Sequence, residues 1–392
     1  MSFPGSPLSR LTLPKTCFMR PDGLSNGKIE TDNGPYIKMQ EVKNILVVKL
    51  SSIGDVVHSL PFLEVVKEKF PHARIDWLIE EESFQILNGH AAVDRVIVSR
   101  RKAWQKKVKK VSEWLPVLRE AAQFLKELRE YEYDLVVDLQ GLFKSGILVG
   151  LSRGERKIGM AGAREGVPVD YDQHAVDRYM EMARYLGCRH SSWNGGIPVL
   201  EADIRMVKAL LNSNGLEKTP FVAVNPMARW KTKLWKPESF AVLADRLCNE
   251  LSCRIIFTGS GQDREVIKDI SDMMKEKPLN LAGRTSLKEL ACLYAACSVL
   301  VTTDTGPMHI AAAMGCRVVA LFGPTDPRRT GPYGECHEVI RADVECSPCF
   351  KKKCDHMSCM KQITVERCFE AVKKILLQGK PSRDYGGMYG NK

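Results

Sequence analysis

The chain has no apolar run long enough to cross a membrane. Its longest uncharged apolar stretch covers residues 290–303, whereas a membrane-spanning helix needs about 18 apolar residues or more. The first thirty residues contain prolines and scattered charges but no apolar segment of the kind found in secretory signals. These features predict a cytoplasmic protein, and they leave a peripheral contact with a membrane surface open.

A disulfide framework is not expected either. The thirteen cysteines are an odd number and are scattered through predicted strands and helices, which fits reduced thiols in a cytosol. Four of them follow a C-x2-C-x4-C-x4-C spacing, namely Cys346, Cys349, Cys354 and Cys359. Thiols this close in sequence could bind structural zinc or an iron–sulfur cluster, and a cluster of metal-free thiols is the alternative.

Length and charge narrow the class of protein. The 392 residues exceed one ordinary hydrophobic core and predict two domains. Hydrophobic residues at 44% and charged residues at 27% disfavour a largely disordered or fibrous chain. The 58 basic and 47 acidic residues leave a net charge of +11, which favours anionic partners such as nucleic acid, anionic lipid or phosphorylated small molecules.

Strands and helices alternate along the chain in two successive units. Predicted strands cover 43–50, 74–79, 95–98 and 133–139 in the first unit, and 221–226, 253–259, 298–304 and a final 317–323 in the second. Predicted helices cover 56–70, 113–131, 238–251, 286–297 and 364–377. The alternation predicts an α/β protein with two Rossmann-like, doubly wound domains that face each other across a cleft.

The predicted organisation has five parts. They are a flexible N-terminal extension over 1–40, an N-terminal domain over 41–210, a C-terminal domain over 215–345, a cysteine-rich segment with a closing helix over 346–378, and a flexible tail over 379–392.

The loop after the first strand, Ser51-Ser52-Ile53-Gly54-Asp55, is a candidate site. Ligands of open α/β sheets bind at the carboxyl ends of strands, beside helix N-termini. Gly54 permits a tight turn, and Asp55 lies near a helix start, where it would face the cleft. The alternative for Asp55 is an ordinary first-turn acid that is stabilised by the helix dipole.

A second candidate loop lies within 301–315, where a strand ends and a helix begins. Free backbone amides around Thr305, Gly306 and Met308 would bind a diphosphate. His309 lies one turn inside the helix, where a satisfied core histidine is the alternative. Neither candidate loop is a Walker A or G-x-G-x-x-G sequence, so ATP hydrolysis and nicotinamide chemistry lose support.

Basic residues occur in two further places. Arg229 and Lys233 follow the first strand of the second unit, where they reach phosphate oxygens or lie solvated on the surface. Residues 100–110 hold seven basic residues and no acid, which indicates either a solvated helix face or a docking patch for a polyanionic acceptor or membrane. Nucleic acid is disfavoured because no interleaved aromatics or recognised binding module accompany this run.

Together these segments resemble the bacterial heptosyltransferases of glycosyltransferase family 9 over about residues 43–375. The resemblance rests on VKLSSIGDVVHSLP (48–61), RIDWLIEEESFQI (74–86), HAAVDRVI (90–97), RRKAW (100–104), DLQGLFKS (138–145), DTGPMHIAAAMG (304–315) and LFGPTDPRRTGPYG (321–334). The run from WLIEEESFQI to RRKAW points to the branch that adds the first heptose over the branch that adds the second.

The resemblance implies the GT-B architecture and an inverting transfer of heptose. The implied donor is ADP-L-glycero-D-manno-heptose, and the implied acceptor is the Kdo sugar of Kdo-lipid A in the lipopolysaccharide inner core. The implied place is the inner face of the cytoplasmic membrane, with no cofactor required for catalysis. The alternatives are transfer onto the first heptose and a catalytically inactive GT-B protein that binds glycolipid; the presence of both Asp55 and Lys233 disfavours the inactive protein.

The resemblance also implies roles for single residues. Asp55 matches the family's catalytic base, and Lys233 matches the lysine that faces the donor phosphates. The implied donor-binding residues are Asp304, Thr305, Gly306, Met308, His309 and Arg229, with Thr285 for the adenine and Glu265 for the ribose. The implied acceptor-binding residues are Ser51, Ser52, Gly54, Arg100, Arg101, Lys102, Lys144 and Arg164.

Overall fold

A computed structural model describes residues 42–160, 165–189, 196–216 and 219–378. Within them the chain forms two parallel six-stranded sheets, each flanked by helices. The extension predicted over 1–40, the tail predicted over 379–392 and the candidate acceptor residue Arg164 lie outside the described residues.

The first sheet has the strand order β3-β2-β1-β4-β5-β6. Its strands are β1 (Asn44–Val48), β2 (Arg74–Glu80), β3 (Arg95–Ser99), β4 (Tyr133–Asp138), β5 (Gly154–Gly159) and β6 (Glu165–Gly166). The helices of this half are α1 (Ile53–His58), α2 (Leu60–Lys69), α3 (Phe84–Leu87), α4 (Arg101–Lys107), α5 (Trp114–Leu128), α6 (Phe143–Leu151), α7 (Ala175–Tyr185) and α8 (Glu201–Ser213).

The second sheet has the order β12-β11-β10-β7-β8-β9. Its strands are β7 (Phe221–Asn225), β8 (Arg254–Phe257), β9 (Leu279–Asn280), β10 (Val299–Thr303), β11 (Val318–Phe322) and β12 (Glu338–Arg341). Its helices are α9 (Pro237–Leu251), α10 (Arg264–Asp272), α11 (Leu287–Ala296), α12 (Gly306–Ala313), α13 (Pro327–Thr330), α14 (Ser358–Lys361) and α15 (Val365–Leu377).

The central strands are apolar throughout because helices cover both faces of each sheet. In β1, Ile45 and Val47 belong to the core under α2 and α7, whereas Leu46 and Val48 belong to the core under α5 and α6. The predicted α/β class with two doubly wound sheets is confirmed, since both strand orders change direction beside the first strand of each half.

Two predicted elements differ from the structure. The single helix predicted over 56–70 is two helices, α1 and α2, which meet at Ser59. The strand predicted at 317–323 is not the last one, because β12 pairs with β11 at the edge of the sheet. Glu338 and Arg341 stand at the two ends of β12 and only Ile340 is buried in it, so its apolar pattern is too weak to indicate a strand.

Helices also connect the two halves and close the fold. Helix α8 packs against α11 of the second half, and α15 packs against α9. The domain boundaries remain predictions. None of the described helices is both long and apolar enough to span a bilayer.

Candidate active site

The two halves meet where α1 packs against α12. A Cβ added at Gly54 would lie 2.3 Å from His309 Cδ2, and one added at Gly306 would lie 3.4 Å from Ile53 Cβ. Gly54 is therefore required for close approach, and the tight turn predicted for it is wrong, because it lies within a regular helical turn. This contact brings the loop after β1 and the loop after β10 together at the cleft.

Asp55 lies in the first turn of α1 and is half-buried. Its Oδ2 accepts hydrogen bonds from the Ser52 amide at 3.0 Å and the Ser52 hydroxyl at 3.1 Å. Asp55 is therefore a first-turn acid, as the alternative interpretation held, and it also accepts hydrogen bonds from the N-cap residue. Both bonds end on Oδ2, so Oδ1 accepts no hydrogen bond from the described residues and can receive a proton.

Electrostatics keep Asp55 ionised. Burial alone would raise the pKa of Asp55, but the Lys49 ammonium, the hydrogen bonds from Ser52 and the nearby His309 outweigh burial and hold this pKa below its usual range. The carboxylate is thus in the form that can act as a general base at neutral pH.

Lys49 is a site residue that the sequence analysis missed. Its side chain is buried, donates to the Leu139 carbonyl at 3.2 Å and lies 5.0 Å from the centre of the Tyr179 ring. Burial lowers the pKa of Lys49, and the negative charges of Asp55 and Asp138 counteract this only in part. The available signal was a single cation near the end of the apolar strand VVKL.

On the other side of the cleft, Lys233 forms an ion pair with Asp304. The Lys233 Nζ lies 2.6 Å from Asp304 Oδ2, and the Thr325 hydroxyl donates to the same oxygen at 2.6 Å. Lys233 ends a short 3₁₀ turn after β7, and its Nζ lies 4.5 Å from the centre of the Trp230 ring. These contacts fix a cation beside the start of α12.

The start of α12 supplies two amide donors rather than three. Thr305 is the N-cap and Gly306 the first helical residue, and first-turn amides have no partner within the helix. The Met308 amide instead donates to the Thr305 carbonyl at 3.1 Å, and the Met308 side chain is fully buried. The prediction that Met308 contributes a free amide is therefore wrong.

His309 is neutral at physiological pH. Burial lowers the pKa of His309 to about 4, against the opposing effect of Asp304. Its Nδ1 is buried and has no hydrogen-bond partner among the described residues. Because this nitrogen is buried, the structure does not offer it to a ligand, and the predicted donor-binding role of His309 stays a prediction.

Two more histidines, absent from the sequence prediction, line the contact between the halves. The His58 ring centre lies 4.1 Å from that of His309 and 5.0 Å from that of His174. The His174 Nε2 lies 3.1 Å from the Gly331 carbonyl oxygen, which ties α7 to the second half.

Three of the predicted acceptor cations converge on Glu80, another residue that the sequence analysis missed. Glu80 ends β2 and is 2% exposed; its carboxylate lies 2.9 Å from Arg101, 3.0 Å from Lys102 and 3.5 Å from Lys144. Burial would raise the pKa of Glu80, but hydrogen bonds from Arg101 and Lys102 lower it. Lys102 also pairs with Glu82, so three cations face two carboxylates and the cluster keeps one excess positive charge.

This cation cluster borders the loop that carries Asp55. The Lys144 Nζ donates to the Ser51 hydroxyl at 3.2 Å, and the Ser51 amide donates to the Gln140 side chain at 3.0 Å. Arg100 lies further out, where its exposed side chain pairs with the exposed Glu81 at 3.1 Å. Ser51 and Lys144 thus contact each other at the loop that carries the candidate base, whereas Lys102 is connected to them only through Glu80.

The remaining predicted donor residues lie outside this network. Arg229 is exposed in the loop before Lys233, Glu265 is exposed on α10, and Thr285 precedes α11 at a half-exposed position. Within the described residues none of the three forms a hydrogen bond or an ion pair with the Asp55 or Lys233 groups. Their donor-binding roles stay predictions.

The cysteine-rich segment packs behind the donor side of the cleft. The Thr232 hydroxyl donates to the Lys351 carbonyl at 2.9 Å, and the Phe350 amide donates to the Pro324 carbonyl at 2.8 Å. The segment therefore holds the turn that carries Lys233 against the loop that follows β11.

A metal at this segment has no structural support. The thiol of Cys359 is buried, and burial together with neighbouring thiols raises its pKa. In the described part of the chain no group of three or more His, Cys, Asp or Glu residues is arranged to hold a metal ion; this covers the predicted ligands Cys346, Cys349, Cys354 and Cys359. Eleven cysteines of the described residues, these four included, are reduced thiols, whereas Cys336 is disulfide-bonded.

Comparison with known proteins agrees with this geometry. The profile of glycosyltransferase family 9 (heptosyltransferase) matches residues 121–360. Lipopolysaccharide heptosyltransferase 1 of Pseudomonas aeruginosa is 31% identical over 327 residues, which are 80% of this chain and 87% of the relative.

Solved structures give the same family. A family 9 glycosyltransferase from Veillonella parvula is 26% identical with a TM-score of 0.75, over 86% of this chain and 98% of that one. The Escherichia coli heptosyltransferase WaaC, solved with ADP, is 28% identical with a TM-score of 0.66, over 85% and 99%. The predicted GT-B fold is confirmed, and the chain belongs to glycosyltransferase family 9, the heptosyltransferases.

Proposed function

We propose that this chain transfers heptose from ADP-L-glycero-D-manno-heptose to the Kdo sugar of Kdo-lipid A. The observation that carries the proposal is the contact between α1 and α12, which supports one shared site for the carboxylate of Asp55 and the amides of Thr305 and Gly306. A base from one half and an anion site from the other are the two groups that transfer from a sugar diphosphate requires.

In the proposed step, Asp55 Oδ1 accepts the proton of the acceptor hydroxyl as that oxygen attacks the anomeric carbon. The bond between this carbon and the diphosphate oxygen breaks, ADP leaves on the opposite face with the bonding electron pair, and the anomeric configuration inverts. General-base assistance of this kind contributes a factor of about 10²–10⁴ to the rate.

Lys233 and the α12 amides stabilise the leaving group. Negative charge grows on the diphosphate oxygen in the transition state, and preorganised cations and amides act most strongly on such growing charge. Lys233 is paired with Asp304, the residue before the N-cap of α12, and this pair holds the Lys233 ammonium near the start of that helix. Because these groups supply the positive charge, the step is written without a cofactor.

The cation cluster around Glu80 supports an anionic acceptor. Arg101, Lys102 and Lys144 pair with the carboxylates of Glu80 and Glu82, which leaves one excess positive charge for the carboxylate of Kdo or a phosphate of lipid A. Such an acceptor is anchored in a bilayer, and we therefore place the enzyme in the cytoplasm, peripherally associated with the inner membrane.

Mass spectrometry of a transfer reaction tests the proposal. The full chain is incubated with ADP-heptose and either Kdo-lipid A or the same acceptor that already carries one heptose, and Asp55→Asn serves as the matched control. The proposal requires one added heptose on Kdo-lipid A. A product on the heptosylated acceptor alone would assign the second transfer instead, and donor binding without any product would indicate an inactive protein.

A further inference from the structure

The helices on one face of the first sheet expose apolar side chains to solvent. On and just before α5, Val111 is 75% exposed, Leu115 is 68% and Leu118 is 64%. On α6, Phe143 is 87% exposed and Ile147 is 49%. We call these five residues the outer α5–α6 face.

The outer α5–α6 face is additional to the face that α5 and α6 bury. Phe124 and Leu128 of α5 and Val149 of α6 pack into the same core, against Leu46 and Val48 of β1. The helices thus already have the apolar stripe that packing against the sheet requires. A second apolar stripe that points outward has no packing role in the described chain.

Both helices begin near the carboxyl ends of the strands, where the candidate active site lies. Each runs antiparallel to the strands, because α5 leads into β4 and α6 follows β4. Their C-terminal ends lie side by side, since Arg129 donates to the Leu151 carbonyl at 3.2 Å. At the other end, Lys144, next to Phe143, reaches Ser51, so the exposed side chains border the cleft.

Positive charge surrounds the outer α5–α6 face. Residues 100–126 contain nine basic and two acidic residues, a net charge of +7 out of +11 for the chain. Within the described residues, Lys106, Lys109, Lys110 and Arg119 form no ion pair. Four of the nine basic residues are paired with acids, namely Arg100 with Glu81, Arg101 with Glu80, Lys102 with Glu80 and Glu82, and Lys107 with Glu120.

We infer that the outer α5–α6 face docks on the surface of an anionic lipid bilayer. Exposed leucine, phenylalanine and valine with flanking lysines are typical of protein surfaces that enter the boundary between headgroups and acyl chains. Each lysine near an anionic membrane adds attraction. A second copy of the chain fits less well, because its own face would bring the same positive charge into the contact.

This inference rests on the proposed lipid-linked acceptor, and it explains how that acceptor would reach the candidate active site. With the outer α5–α6 face on the membrane, the headgroup sugar of a lipid in that membrane lies next to Lys144 and Ser51, and so near Asp55. The bilayer would hold both enzyme and acceptor in one plane, which raises their effective concentration.

Vesicle flotation tests the inference without any substrate. The full chain is mixed with vesicles of equimolar phosphatidylcholine and phosphatidylglycerol, or of phosphatidylcholine alone. We expect binding to the anionic vesicles that weakens with added salt. The double variant Leu115→Gln/Leu118→Gln should bind about tenfold more weakly or worse, and Lys106→Gln/Lys109→Gln/Lys110→Gln should lose the preference for anionic lipid.

The matched control is Val242→Gln/Val266→Gln. These valines are 50% and 40% exposed on α9 and α10 of the second half, and their replacement should leave vesicle binding unchanged. Equal binding by the control and the leucine variant would overturn the inference. So would a wild-type dimer that the leucine variant dissociates, since the face would then be an interface between two copies.

A water-soluble Kdo acceptor separates this inference from the proposed function. The leucine variant should transfer heptose to that acceptor as fast as the wild type, and should be slow only with acceptor in vesicles. Absence of transfer by the wild type with either acceptor would contradict the proposed function, whereas the flotation result would still decide the docking surface.

Discussion

The Cα of Gly54 lies so close to the His309 ring that any side chain there would overlap it. The added Cβ would be 2.3 Å from Cδ2 and 2.9 Å from Nε2 of His309. Since Gly54 precedes the candidate base and His309 follows the anion-binding amides, this one contact sets the distance between the two halves of the site.

We expect Gly54→Ala to destabilise the protein by about 1–3 kcal/mol, as overpacked side chains in well-packed contacts do. The matched control is Gly146→Ala in α6, where an added Cβ meets nothing within 4 Å; alanine there should be neutral or stabilise by about 0.4–1 kcal/mol. Denaturant unfolding measures both. Equal stabilities of the two variants would show that the α1–α12 contact relaxes freely.

Asp55→Asn should lower single-turnover transfer by a factor of about 10²–10⁴ and leave the donor dissociation constant nearly unchanged. The amide keeps an oxygen for the Ser52 hydrogen bonds but cannot take a proton. Calorimetry with an unreactive ADP-heptose analogue gives the donor dissociation constant, and rapid-quench kinetics give the transfer rate. Wild-type transfer rates in this variant would remove Asp55 from the role of base.

Lys49→Met should move the acidic limb of the pH profile of kcat/KM to higher pH. Lys49 lowers the pKa of Asp55 against the effect of burial, so without its charge burial raises this pKa, and the base becomes protonated at a higher pH than in the wild type. The exposed Lys43, at the start of the same strand, provides the control Lys43→Met. An acidic limb that stays in place or moves to lower pH would contradict the coupling.

The fold was predictable from the sequence because its signals are local. Apolar runs such as NILVV and VLVTT mark strands that are buried on both faces, and a Pro near the start of α12 marks that helix. The edge strand β12 carries no such signal, whereas the division of one predicted helix into α1 and α2 does have a local one, because Pro61 lies in the first turn of α2.

The site was predictable where it consists of loops that follow strands, and not where it depends on contacts distant in sequence. Asp55, Lys233 and Asp304 were assigned from motifs. Glu80 and Lys49 matter through partners on other strands, which no spacing reveals. Position 54 requires glycine because of a contact with His309, 255 positions further along the chain. From the sequence, this glycine was expected to permit a tight turn.

Protein stability should fall as the pH decreases from about 6.5 toward 4. Burial, with further contributions from His309, His174, Lys49 and Arg178, holds the pKa of His58 well below its usual value. The unfolded chain therefore takes up a proton that the folded chain excludes, which favours unfolding below the ordinary histidine pKa.

His58→Leu should reduce this loss by about 1 kcal/mol per pH unit below about 6.5. Both ring nitrogens of His58 lack partners among the described residues, so leucine should cost little stability at pH 7.5. Denaturant unfolding at pH 7.5 and 5.5 measures the change, with His72→Gln at an exposed position as the control. An unchanged pH dependence in His58→Leu would show that His58 is protonated equally in both states.

The most direct test of the central claim is a crystal structure with an unreactive ADP-heptose analogue. We expect the diphosphate to contact Lys233 and the amides of Thr305 and Gly306, and the anomeric carbon to face Asp55 on the side opposite ADP. A diphosphate bound away from these groups, or Asp55 on the same side as the leaving ADP, would contradict the claim.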